Sequence, residues 1–107
     1  PIPSALKSLK VLKIAGKSFD QPLDQISDTI TDLEILFSDK FNQSLDHLSN
    51  NLEILKIYKC CEFKQKINSL PQNLKIFELN VKQYPYIVDN LPKNITRYVL
   101  NDKTIIG

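Results

Sequence analysis

Glycine is almost missing from this chain: Gly16 and Gly107 are the only two in 107 residues. A loop that cradles phosphate needs several glycines to bring backbone N–H groups close to the anion, so no such loop is expected. Histidine is as scarce. His47 stands alone at a polar turn, with no nucleophile or second ligand placed beside it, and reads as a surface residue and not a general base. The two cysteines, Cys60 and Cys61, are adjacent and cannot staple distant parts of a fold. As a pair they fall short of the roughly four ligands of a structural zinc site. They read as a buried or half-buried thiol with its neighbour, which favours a reducing compartment.

Arg97 is the only arginine among 14 basic residues, so bidentate phosphate recognition has one residue to work with. Against 12 acidic residues the net charge is +2, with the signs mixed along the chain. That is no electrostatic footprint of a nucleic-acid binder. No apolar run approaches the ~18 residues of a membrane-spanning helix, and no signal-peptide pattern is visible. No cofactor motif is present, and no acid, base and nucleophile can be assembled into a catalytic set. A non-catalytic, cytoplasmic protein is expected. The start at Pro1-Ile2-Pro3, inside a repeat, suggests a piece of a longer chain.

What is present is repetition. Ser18-Phe19-Asp20-Gln21-Pro22-Leu23 returns as Lys40-Phe41-Asn42-Gln43-Ser44-Leu45, and again, blurred, as Glu62-Phe63-Lys64-Gln65-Lys66-Ile67, each 22 residues after the last. Tyr84 opens a fourth copy after 21 residues. From each aromatic, apolar residues follow at fixed steps: Leu23, Ile26 and Ile30; Leu45, Leu48 and Leu52; Ile67, Leu70 and Leu74; Val88, Leu91 and Ile95. Each set leads on to a pair such as Leu33 and Ile35, Leu55 and Ile57, Phe77 and Leu79, or Tyr98 and Leu100. Ile2, Leu6, Leu9 and Val11 supply the first unit, followed by about two extra residues near Ala15-Gly16. Pro3, Ser27, Ser49, Pro71 and Pro92 fill one column, and Gln21, Gln43 and Gln65 another.

A unit of about 22 residues cannot bury its apolar face alone, whereas stacked units bury it for one another. Leu52-Glu53-Ile54-Leu55-Lys56-Ile57 alternates as a half-buried strand does. Strands recurring in one direction make a parallel sheet. The return of about eight residues, with proline in it, is too short for a full helix and is expected to be extended or 3₁₀-like. The expected fold is an α/β-type, mostly β repeat solenoid: one domain over 1–107, a short curved array of about five parallel strands, in units of about 2–25, 26–47, 48–69, 70–90 and 91–107.

These columns resemble the leucine-rich repeat superfamily, and within it FNIP repeats, whose unit runs roughly F-N-Q-P-I followed by L-P-x-S-L-x-x-L. Phe41-Asn42-Gln43, Phe19-Asp20-Gln21-Pro22-Leu23, Leu70-Pro71-Gln72-Asn73-Leu74 and Leu91-Pro92-Lys93-Asn94-Ile95 carry the likeness. The L-P-x-x-L spacing is also similar to short leucine-rich repeats of some bacterial effectors. The resemblance implies a protein–protein interaction surface. FNIP-like repeats often accompany F-box segments that recruit ubiquitin ligases, but none lies in these residues.

In a parallel solenoid the outward strand positions line up about 4.8 Å apart. Three columns are expected: Ser8, Asp32, Ile54, Ile76 and Arg97; Lys10, Glu34, Lys56, Glu78 and Val99; Leu12, Leu36, Tyr58, Asn80 and Asn101. The candidate partner-binding residues are Leu36, Ile54, Tyr58 and Ile76, an apolar set on the outer face, with the alternating charges Glu34, Lys56 and Glu78. The partner would be another protein; the alternative is a structural spacer or self-assembly module that stacks through uncapped solenoid ends (Ile2, Leu6, Ile105, Ile106). The acceptor triplets Asn42-Gln43-Ser44 and Asn94-Ile95-Thr96 read as chance, and Asp28, Asp32, Glu34 and Asp39 as capping and solubilising carboxylates rather than a cation site.

Overall fold

The structure, a computed structural model, describes residues 9–24, 26–86 and 88–107. Ile2, Pro3, Leu6, Ser8 and Gln25 lie outside them. The described residues hold no helix. Six strands follow one another: β1 (Val11–Ala15), β2 (Asp32–Leu36), β3 (Ile54–Tyr58), β4 (Ile76–Asn80), β5 (Arg97–Leu100) and β6 (Lys103–Ile106). They form one sheet in chain order. β1 to β5 are parallel, and β6 returns antiparallel on β5. The chain is a β-solenoid whose coils add one strand at a time.

The alternation in each strand sets which side is core. Leu33 and Ile35, Leu55 and Ile57, and Phe77 and Leu79 are all 0% exposed and stack in register from coil to coil. On the return side the aromatic of each repeat forms a second stack. Phe19, Phe41, Phe63 and Tyr84 lie ring on ring at centroid distances of 5.8, 5.7 and 5.7 Å. Each buried Phe, Leu or Ile contributes about 1.5–3 kcal/mol relative to exposure.

Two turns per coil explain the remaining columns. Ser27, Ser49, Pro71 and Pro92 each accept, through the backbone carbonyl, the N–H of the residue three on. Ser27 and Ser49, at the first position of the turn, also accept the N–H two residues on through Oγ, while Pro71 and Pro92 make the turn with the backbone carbonyl alone. The second turn enters the aromatic: the N–H of Phe19, Phe41, Phe63 and Tyr84 donates to the carbonyls of Gly16, Ser38, Cys60 and Val81. Ser38 and Cys60 are fully buried and Val81 is 1% exposed, so this slot takes only a small or medium side chain.

Three expectations are corrected. The first unit is one residue short rather than two long. Leu12 and Ile14, not Leu9 and Val11, pair with Leu33 and Ile35, and Lys13, not Lys10, stands beside Glu34. The deletion falls between strand and aromatic, as it does in the fourth unit, where the same turn is made with one residue fewer. Both frames keep the local alternation, and only the length this turn accepts separates them. Next, β6 adds a sixth strand. Asn101 and Asp102 have φ of 51° and 67°, the two left-handed residues of a tight hairpin turn. Asn101 therefore sits in that turn and not in a strand column. Finally, Val99 is buried at 8%, although it stands in the column of Glu78.

Candidate functional site

Parallel pairing carries each outward position from coil to coil. One row runs Val11, Asp32, Ile54, Ile76 and Arg97, the next Lys13, Glu34, Lys56 and Glu78, and the third Ala15, Leu36, Tyr58 and Asn80. The seven candidate residues thus share one face. Leu36, Ile54 and Ile76 are half-buried there, and Tyr58 is exposed.

The charged row is largely satisfied from within. Lys13 meets Glu34 at 3.9 Å, Lys56 meets Glu78 at 3.8 Å, and Arg97 reaches the same Glu78 carboxylate at 3.4 Å. Exposed pairs of this kind contribute about 0–1 kcal/mol each, enough to favour one register and little more. Asp32 is the exception. Its Oδ1 is buried and has no hydrogen-bond partner among the described residues. Burial pushes its carboxyl above the usual range, and the neighbouring Glu34 adds to that against the opposing charges of Lys56 and Lys13.

An exposed aromatic pair lies where the chain leaves β2 and β3. Phe37 is 52% and Tyr58 36% exposed, and their rings meet edge to face at 5.5 Å. The Lys59 ammonium lies over both, 5.5 Å from the Tyr58 centroid and 6.0 Å from that of Phe37. Phe37 and Lys59 are equivalent in successive coils, with φ of 55° and 53°, and their N–H groups extend the sheet ladder to the carbonyls of Tyr58 and Asn80. Sequence reading by columns missed Phe37 because it stands one place beyond the strand. The available signal was that it is the one Phe outside both the 22-residue aromatic series and the inward strand positions.

The Phe-x-Gln side is a hydrogen-bonded ladder. Asp20 Oδ1 accepts the Asn42 N–H at 2.9 Å and the Gln43 amide at 2.7 Å. One coil on, Asn42 Oδ1 accepts the Lys64 N–H at 2.9 Å and the Gln65 amide at 3.2 Å. Gln43, Gln65 and Asn42 are thereby assigned a role in holding coil to coil. The Asn42 bond to Asp20, with that of Gln43, holds the Asp20 carboxyl below its usual range. Asp46 repeats the device. Burial works to raise its carboxyl, but bonds from the Asn68 side chain and from the Asn68 and Ser69 N–H groups outweigh that and lower it.

Cys60 is buried, Cys61 is exposed, and both are free thiols. His47 is exposed. Among the described residues no group of three or more His, Cys, Asp or Glu is placed to hold a metal ion, and no helix is long and apolar enough to cross a membrane. Comparison with protein-family models, with curated proteins and with solved structures gave no match.

Proposed function

We propose that the chain is a non-catalytic protein–protein interaction module of the leucine-rich-repeat type, FNIP-like in its repeat, that presents the outer strand face and its Phe37–Tyr58 rim to another protein, as a substrate-recognition part of a larger protein would. The observation that carries this reading is the exposed aromatic pair, Phe37 and Tyr58, beside half-buried Leu36. Contiguous exposed apolar surface marks interaction sites in soluble domains, and Tyr is enriched at binding hot spots. The internal pairing of Lys13, Glu34, Lys56 and Glu78 gives those charges a register role, so the rim takes precedence over the charged row.

The test is capture of partners from native lysate by the chain and by a Phe37→Ala/Tyr58→Ala variant with the same thermal midpoint. A partner retained only by the parent chain supports the module. Identical capture by both removes the rim from the reading. A second reading, self-association, is favoured by β6: its four side chains are exposed, Ile105 at 55% and Ile106 at 39%, and it is the last strand of the sheet. Such an edge is a template for another strand. A mass that stays monomeric across concentrations in sedimentation counts against it.

A further inference from the structure

We propose that β1 exchanges between two registers on β2 that differ by three residues, and that the exchange switches which side chains the first coil presents on the outer face. In the observed register Leu12, Lys13 and Ile14 stand beside Leu33, Glu34 and Ile35. In the shifted register Leu9, Lys10 and Val11 take those places. The exchange requires no partner.

The sequence repeats a tripeptide here. Leu6-Lys7-Ser8, Leu9-Lys10-Val11 and Leu12-Lys13-Ile14 are three successive copies of Leu-Lys-x. A strand that slips by an odd number of residues ordinarily turns its apolar side chains to solvent, which is what fixes register. The tripeptide repeat removes that penalty. A shift by three exchanges Leu12 for Leu9 and Ile14 for Val11 on the inner side, a difference of one methylene. On the outer side Lys13, 3.9 Å from Glu34, gives way to Lys10, so the charge pairing is kept. β1 is also the first strand of the sheet and pairs only with β2 among the described residues, whereas β2, β3 and β4 are held on both sides.

The packing of β1 leaves room for the shift. Leu12 and Ile14 are half-buried, whereas their neighbours Leu33 and Ile35 are fully buried. A hollow of about 290 Å³ borders Leu12, Ile14, Phe19, Leu23 and Ile30. Val11, a β-branched apolar residue, stands 45% exposed opposite Asp32, whose buried Oδ1 has no hydrogen-bond partner among the described residues. The shift turns Val11 inward and brings a serine, Ser8, to the position opposite Asp32, a hydroxyl where Val11 offers no donor. The turn opposes it. Five positions separate Ile14 from Phe19, as they do Leu79 from Tyr84, and the shifted register stretches this to eight from Val11. Loop closure costs more with length, but only logarithmically, so the longer turn keeps the observed register dominant without closing off the other. The outer face differs between the two: Leu12 replaces Ala15 beside Leu36, and the third row becomes Leu12, Leu36 and Tyr58.

The test is ¹⁵N relaxation dispersion on the chain, which reads exchange on the microsecond-to-millisecond scale of such shifts. Leu33, Glu34 and Ile35 keep their places while β1 moves past them, and their amides should exchange with a minor state of about 0.1–10%. Val11→Gln alters an exposed position in the observed register but puts an amide into the core of the shifted one, so it should abolish the dispersion. Leu12→Gln does the reverse. It should raise the shifted fraction about tenfold or more, and move hydrogen-exchange protection on β1 three residues towards the N-terminus. No dispersion at these three amides overturns the inference. So does dispersion that survives Val11→Gln, the result expected of a fraying edge strand. Loss of β1 protection in Leu12→Gln without its return three residues earlier overturns it as well. Should Leu12→Gln melt as a whole, the parent chain and Val11→Gln decide between the two outcomes by themselves.

Discussion

Phe41 and Phe63 stand 22 residues apart and lie nearly parallel, 5° between ring planes and 5.7 Å between centroids, both fully buried. Each is an inner rung with a ring on either side of it. Phe19 is the first described rung and is only half-buried. Phe41→Ala should therefore cost about 3–5 kcal/mol, the range for emptying a packed aromatic site. Phe19→Ala should cost roughly half that, because less surface returns to water. Urea unfolding of the two variants against the parent checks this. Equal costs would mean that the stack does not act as a series of neighbouring contacts. Against a total stability of about 5–15 kcal/mol, the inner substitution removes a large share.

The stack was legible because repetition reports on itself. A residue recurring every 22 positions in an apolar setting, with a strand-like alternation in phase with it, leaves few architectures. The parallel sheet, the core rungs and the outward rows of β2, β3 and β4 follow from that pattern. The first unit was misframed because Leu9-Lys10-Val11 and Leu12-Lys13-Ile14 offer the same alternation, and only the geometry of the turn at Gly16 chooses between them. β6 was missed because it breaks the repeat. Its signal, Asn-Asp between two short apolar runs, was a local one. Phe37 escaped for a similar reason: column reading follows regular positions, and the rim is built by the turn that leaves them.

Asp32 and Glu34 occupy one face of β2 two residues apart, with Lys13 on β1 and Lys56 on β3 beside Glu34. The Asp32 carboxyl is raised by burial first, then by Glu34. A raised acid contributes stability that is present below its unfolded value near 3.9 and lost as pH rises through the folded value. At pH 7 the ionised group therefore weighs against the fold. Asp32→Asn should raise the thermal midpoint at pH 7, by an amount worth less than about 1 kcal/mol at this half-exposed site, and change little below about pH 4. Thermal melts at the two pH values decide it. A lower midpoint for Asp32→Asn at pH 7 would mean that Lys13 and Lys56 outweigh burial.

Tyr84 ends the aromatic stack and adds what the Phe rungs lack, a hydroxyl that donates to the Gln65 carbonyl at 2.7 Å. Burial, with smaller contributions from Tyr98, Tyr86 and Asp46, pushes its hydroxyl up to about 12. The unfolded value lies near 10. The stability tied to this proton is fully present below about pH 10 and is lost as pH rises towards 12. Tyr84→Phe keeps the ring, loses the bond, and has no proton to lose. At pH 7 it should be less stable by about 0.5–1.5 kcal/mol. Between about pH 10 and 12 the gap should close and then reverse, because only the parent's unfolded state gains by ionising at this position. Tyr98, whose hydroxyl is also raised by burial, is common to both proteins and leaves the difference between them to Tyr84. Urea midpoints measured from about pH 7 to 12 read that difference directly. A gap that stays constant over the range would show that the Tyr84 hydroxyl ionises as freely in the fold as in the open chain.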